Sequence, residues 1–457
     1  MTWISELNVR LCSDRRRMLG ILVVPSLLLG VSQAAQGQTN QPSSVLCRSA
    51  ANPYRLPHEC VGQAFDFQAE TLTKDWVGLR TSLDELGIKP TASYTTQPVG
   101  NPSGGQSQGF TYAATLQVSL FVDLSKLIGV PGLSSHALTA WSSGRNLSAD
   151  NVGNVFTVQS TYSSPNNGTS NLTVGELYLQ QTLSNDSLIL AAGRLAPQNT
   201  FATMPILNQY INGAINPIPG HLAINDFSFT GYPPGAEWGA QGIYNVKSRF
   251  QIAAGVFNTN PNSAGGGKGG ADFTLQQGNR GALSVAQINY LFNHASGDTG
   301  LPGQYSVGAF YDSNTFTSLK NINTTEKGTY SIYSQFQQMV HRDGNTDSHK
   351  GMTVWAETAI SPKASVNKIP YLVGAGLSYE GLFHARGSDI ASAGVISGIF
   401  SRFIPRTTAE TAIEINYQIT FKKWFSITPD LQYVIRPSGR AAIGNAFLLG
   451  SQTTIVF

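Results

Sequence analysis

Ile413-Glu414-Ile415-Asn416-Tyr417-Gln418-Ile419-Thr420-Phe421 carries an apolar or aromatic side chain at every odd position and a polar one at every even position. Successive side chains of a β-strand point to opposite faces, so this stretch is predicted to be a strand with one apolar and one wetted face. A short turn, Lys422-Lys423-Trp424, follows. The next run sets Phe425, Ile427, Leu431, Tyr433 and Ile435 against Ser426, Thr428, Asp430, Gln432 and Arg436. The last run sets Phe447, Leu449, Ile455 and Phe457 against Gln452 and Thr454. Far upstream, Tyr112, Ala114, Leu116, Val118, Leu120 and Val122 alternate in the same way with Thr111, Thr115, Gln117, Ser119 and Asp123. Runs of about ten residues with dyad alternation are the signature of transmembrane β-strands.

A soluble β-sandwich alternates too, and three features separate the two. Aromatics (Tyr112, Phe425, Tyr433, Phe447, Phe457) end the apolar faces, as an interfacial girdle requires. Connections alternate between short and long, and the long ones, such as Asn258 to Gly270 and Ser296 to Gln304, are rich in Gly, Asn and Ser. The amphipathic last run finishes on Phe457. Lipid tolerates no open sheet edge, so the expected fold class is all-β: a closed antiparallel transmembrane barrel over residues 90–457. A strand with its share of turn and loop takes roughly 20 to 25 residues, which gives about 14 to 18 strands. The expected even number is about 16, a size that leaves an aqueous channel.

Composition agrees. Only 12% of the 457 residues are charged, aromatics make 10%, and Gly counts 47. Disordered chains have more charge and fewer aromatics. Runs of about 20 apolar residues, which helical membrane proteins need, do not occur. The 29 basic and 26 acidic residues lack the excess of a nucleic-acid binder.

Residues 1–37 read as a secretory signal. Arg10, Arg15, Arg16 and Arg17 precede the apolar stretch Met18 to Val31, and small residues follow. Without them the chain has 25 basic and 24 acidic residues, and the expected location is the outer membrane. Residues 38–89 form an N-terminal periplasmic segment. Cys47 and Cys60 within it are expected to form one disulfide in an oxidising compartment. Trp76, Leu79, Leu83 and Leu86 define one face of a short amphipathic helix, either plugging the periplasmic mouth or packed beside it, with Gly87 suited to its C-terminal end.

Several stretches resemble one family. These are Thr71-Leu72-Thr73-Lys74-Asp75-Trp76-Val77-Gly78-Leu79-Arg80, Phe121 to Leu127 before Pro131-Gly132-Leu133, Ala253 to Asn258 before Pro261, Thr411 to Tyr417, Pro429 to Ile435, and Gly450 to Phe457. Together they resemble the carbohydrate-selective outer-membrane porins, the OprB family, over most of residues 65–457. Val77 stands where a Gly is usual, and Gly387 where a Pro is common. The resemblance implies a 16-stranded barrel passing glucose and similar sugars by facilitated diffusion, with Phe457 read by the barrel assembly machinery and lipid around the wall. A homo-oligomer is one admissible state.

A sugar pore needs polar groups that replace water around hydroxyls, and aromatic faces for the sugar ring. Parity in Glu176-Leu177-Tyr178-Leu179-Gln180 turns Glu176 and Tyr178 inward. Leu188 to Ala192 is apolar throughout, so parity is ambiguous there until Arg194. A charge facing mid-membrane lipid costs roughly 2 to 4 kcal/mol, so Arg194, Glu414, Asp430 and Arg436 are expected inside. Glu237 beside Trp238 offers a carboxylate with a stacking surface, and Arg386 and Asp389 lie in a segment resembling a family motif. These ten residues are the pore-lining and sugar-contact candidates. The competing view is that such charges merely pair to hold the wall. Both signs are present, which suits a neutral solute.

Other chemistries find no motif. Lys268 in the Gly265–Gly270 run is not followed by Ser or Thr, as a phosphate loop requires. Asp343, Asn345 and Asp347 open like a calcium loop, but Ser348 and Val354 occupy its Gly and Glu positions. No metal, cofactor, nucleic-acid partner or enzymatic activity is expected. The rival readings are an outer-membrane barrel lipase or esterase and a structural barrel with a blocked lumen.

Overall fold

The computed structural model describes residues 70–164, 170–230, 236–247, 249–259, 281–295, 297–345 and 348–457. The expected signal segment and the Cys47–Cys60 pair lie outside them. Among the described residues sixteen strands form one closed barrel in which each pairs antiparallel with its chain neighbours and the first pairs with the last. They are β1 (Ile88–Gly105), β2 (Gly109–Asp123), β3 (Leu133–Gly144), β4 (Asn171–Leu183), β5 (Leu188–Leu195), β6 (Glu237–Val246), β7 (Phe250–Thr259) and β8 (Gly281–Phe292). The second half comprises β9 (Gly303–Thr317), β10 (Thr325–Arg342), β11 (Gly351–Ile360), β12 (Tyr371–Glu380), β13 (Ile390–Ile399), β14 (Ala409–Lys422), β15 (Phe425–Ile435) and β16 (Gly444–Val456). Closure pairs every ladder edge, which lipid demands.

The period-two pattern becomes an inside and an outside. In β14 Ile415 is 55% exposed while Glu414, one residue earlier, is 0% exposed. Val256, Ile288, Val307, Ile332 and Val373 continue the exposed apolar face around the wall. Aromatic rings belt its lower edge. Phe250, Tyr290, Tyr305 and Phe336 occupy one register row of β7 to β10, with successive ring centroids 4.9, 6.3 and 6.0 Å apart. Phe421 stacks on Phe425 at the same end.

Connections 184–187, 247–249 and 423–424 are short and lie at the end where β1 begins and β16 finishes. Short turns mark the periplasmic side of such barrels, so the long connections 145–170 and 196–236 leave the extracellular side. Helix α1 (Leu79–Glu85) sits on the periplasmic rim against β1. None of its residues is buried, and Leu79 stays exposed. Arg80 ties this segment to the last strand, donating from Nη2 to the Phe457 carbonyl at 3.0 Å. Helix α2 (Leu124–Ile128) caps the β2–β3 turn, with Asp123 accepting the Ser125 N–H.

Candidate functional site

The described residues 145–164 and 196–230 of the two long connections fold back into the lumen. Segment 145–170 buries Leu147, Val152, Phe156 and Val158, and segment 196–236 buries Phe201, Met204, Leu207, Ile215, Leu222 and Phe229. A chain entering a polar lumen can bury such residues only if the wall meets them with apolar surface. The wall does so. Ile189, Phe257, Leu283 and Phe310 form a core with Phe201, Leu222 and Phe229, while Trp355, Ile396 and Ala412 pack with Phe156, Tyr210 and Ile215. Two inward glycines admit the aromatic tips. A Cβ on Gly394 would lie 2.7 Å from Tyr210 Cε1, and one on Gly398 2.5 Å from Phe156 Cζ.

Backbone groups entering a dry interior must find partners, and the wall supplies them as carboxylates and amides. Glu410 accepts the Val155 and Phe156 N–H groups at 2.9 and 2.6 Å. Glu414 accepts those of Ile211 and Asn212 at 2.7 and 2.9 Å, and Glu176 accepts that of Ala196 at 2.9 Å. Gln287 receives the Ala202 N–H, and the Gln432 amide donates to the Val158 carbonyl. Trp355 Nε1 donates to the Tyr210 hydroxyl at 2.8 Å, and that hydroxyl in turn faces the Leu377 and Ala393 carbonyls, each at 2.9 Å. The second segment is thus fastened to β4, β8, β11 and β14, so it crosses the lumen and narrows it.

Inside the segment, Asp226 accepts the Ser228 N–H at 3.0 Å and lies against the carboxyl of Asp312 on β9. Burial, and then the facing carboxyl, push Asp226 well above the usual carboxylate range. An acid whose folded pKa is raised contributes stability that is complete below its ordinary value and lost as pH rises towards the folded value. The inserted segment should therefore loosen as pH rises across the range above the ordinary carboxylate value of 3.8, and Asp226→Asn should flatten that slope. Limited proteolysis of the folded protein across this range tests it; equal slopes in both proteins would refute it.

The ten candidate residues fall into separate places. Glu176, Arg194, Glu237 and Trp238 cluster on β4 to β6. The Arg194 register position lies between Leu177 and Trp238, in the row of outward side chains, yet its side chain is buried and Nε donates to the Ala236 carbonyl at 3.0 Å. Tyr178 faces the lumen, stacked on His136 at 4.7 Å, with Phe121 edge-on to that imidazole at 5.0 Å. Glu414 and Asp430 are neighbours on β14 and β15, both buried, and Gln432 donates to Asp430 at 2.7 Å. Arg386 and Asp389 make a two-pronged pair on the periplasmic rim, where Asp389 also accepts from the Tyr417 hydroxyl and the Thr420 N–H. Arg436 is exposed on the extracellular rim, donating to the Thr408 hydroxyl.

Sequence reasoning missed Glu410, although it shares the inward parity of Glu414 four residues on. It missed Trp355 and Tyr210 because neither carries a motif. Around them the inward wall is rich in amides, including Gln97, Gln117, Gln251, Gln287, Asn289 and Gln335. An amide offers two donors and an acceptor without net charge, the complement of a hydroxyl-rich neutral molecule.

The family model described as "Carbohydrate-selective porin, OprB family" matches residues 107–457. Porin B of Pseudomonas aeruginosa is 24% identical over 442 residues, covering 86% of this chain and 93% of that protein. The high-pH structure of Pseudomonas putida OprB superposes with a TM-score of 0.77 at 22% identity, over 86% of this chain and 100% of that one. Its low-pH structure gives 0.59 at 19% identity.

Proposed function

Because the chain belongs to the carbohydrate-selective porin family OprB and is a sugar porin of the bacterial outer membrane, we propose that it favours glucose and similar monosaccharides over larger sugars. The observation that carries this reading is the inserted segment 196–236, fastened across an amide-lined lumen by Glu176, Gln287 and Glu414. A fixed obstruction sets a size limit, and amides exchange hydrogen bonds with each hydroxyl as water leaves it.

In this reading Glu176, Glu414 and Asp430 serve as posts for the constriction. Solute contact falls to the half-buried Tyr178 and Gln117. Glu237 and Trp238 border the inserted segment, Arg194 braces its end through the Ala236 carbonyl, and Arg386 with Asp389 locks a periplasmic turn. Residues 1–37 act as an export signal, and Phe457 is the mark for assembly into lipid.

Purified protein in liposomes should admit glucose several-fold faster than a disaccharide, measured by swelling. No swelling with any monosaccharide would sink the proposal. A planar-bilayer conductance that falls as glucose is added separates a sugar pore from a blocked barrel, which would be silent. An ester-cleaving barrel would instead lose its activity on a single Ser substitution.

A further inference from the structure

The near-balance of charge along the chain does not survive folding. At the periplasmic end four cations are paired with carboxylates: Lys89 with Asp84 at 2.7 Å, Arg249 with Asp298 at 3.8 Å, Arg386 with Asp389 at 2.8 Å, and Lys423 with Glu70 at 3.7 Å. At the extracellular end, connections 318–324, 361–370, 400–408 and 436–443 follow one another around half the rim. Their cations are Lys320, Lys363, Lys368, Arg402, Arg406, Arg436 and Arg440, and among the described residues the carboxylates beside them are Glu326 and Glu410.

Both carboxylates are already engaged. Glu326 accepts from the Ser318 and Ser365 hydroxyls and pairs with Lys320 and Lys363. Glu410 is spent on backbone N–H groups of Val155, Phe156 and Ser438. Lys368, Arg402, Arg406, Arg436 and Arg440 are exposed, and among the described residues none has a carboxylate within ion-pair distance. Lys368 and Arg440 belong to the channel mouth rather than the lipid-facing edge. The two act electrostatically on one another, and Lys368 lies near Glu410, whose carboxylate faces the first inserted segment. The residue after Lys368, Ile369, exchanges hydrogen bonds with Asn225 of the second.

We propose that this arc is a capture site for anionic monosaccharides, the uronic and aldonic acids, which carry the hydroxyls the lumen accepts plus one carboxylate. The proposal rests on the sugar-porin reading. Like-signed charge around a low-dielectric mouth concentrates the field and raises the local concentration of counter-ions. The effect should fade when salt shortens the screening length from about 30 Å at 0.01 M to about 8 Å at 0.15 M.

The test compares uptake of glucuronate and glucose by proteoliposomes holding the full-length protein, at low and physiological salt. Glucuronate should enter roughly threefold or more faster than glucose at low salt. The advantage should shrink at high salt and reverse in the Lys368→Glu/Arg440→Glu double variant. Equal entry in the wild type, or a ratio unmoved by charge reversal, would overturn the proposal. If that variant lowers both fluxes together, Lys368→Gln/Arg440→Gln decides: a glucuronate-to-glucose ratio still at the wild-type value overturns it, and a reduced one supports it. Co-purified lipid phosphate that is lost in the charge-reversed protein while the flux ratio stays unchanged would assign the arc to the outer leaflet and also overturn it. A wild-type protein passing no sugar at all would instead sink the porin reading.

Discussion

Glu414→Ala should widen the channel and abolish its discrimination by size. The carboxylate is wholly buried and accepts the Ile211 and Asn212 N–H groups, with the Asn416 amide also donating to it at 2.6 Å. Each buried donor left without an acceptor costs roughly 1 to 3 kcal/mol, so losing all three costs about 3 to 6 kcal/mol after partial rescue by water. The barrel ladder does not pass through these bonds, so the expense falls on the docking of segment 196–236. Single-channel conductance should rise several-fold, and disaccharides should enter liposomes almost as fast as glucose. Glu414→Gln keeps one acceptor and should lie between. Wild-type conductance in the Ala variant would mean that the segment is held by packing alone.

Trp355→Ala should have a comparable effect by a different route. The indole is 2% exposed, donates to the Tyr210 hydroxyl, and meets that ring edge-on at a 5.4 Å centroid distance. Truncating a buried Trp costs roughly 3 to 5 kcal/mol, partly as a cavity that rigid neighbours cannot close. Here the neighbours are the β11 to β13 backbone and the Gly394 notch, which have little freedom to collapse. Tyr210 should lose its seat, and protease should cut segment 196–236 in folded, detergent-solubilised protein. Trp355→Phe keeps most of the packing and loses one hydrogen bond, at about 1 kcal/mol. It should remain largely protected. Equal cleavage of the Ala and Phe variants would shift the weight from packing to the hydrogen bond.

The two substitutions also separate what is local from what is not. Glu414 was legible, because a carboxylate at the centre of a dyad run cannot face lipid. Its task was not, since the groups it serves lie about two hundred residues away in the chain. The run Leu188 to Ala192 has no clean parity because both faces of β5 are apolar. Ile189 and Ala191 meet the inserted segment, while Leu190 meets lipid. Phe257, Leu283 and Phe310 repeat the situation on β7 to β9. A lumen wall is polar only where water touches it, and no property of those strands says where a distant segment will lie.

The sequence by itself determined the barrel. Alternation over Ile413 to Phe421 and its repeats settles which side of each strand meets lipid, and backbone hydrogen bonding in lipid then permits only a closed sheet. The share of charge stays low because one face of every strand must be uncharged. Tertiary structure alone decided the constriction and the field. Closing the ring brings Glu410 to Phe156, Glu414 to Ile211 and Tyr210 to Trp355, and it gathers cations from four separated connections on one arc of one rim. Net charge is a sum over the chain, whereas a passing solute feels the local field within about one screening length. A sequence near neutrality therefore folds into a channel with one arc of its outer rim positively charged.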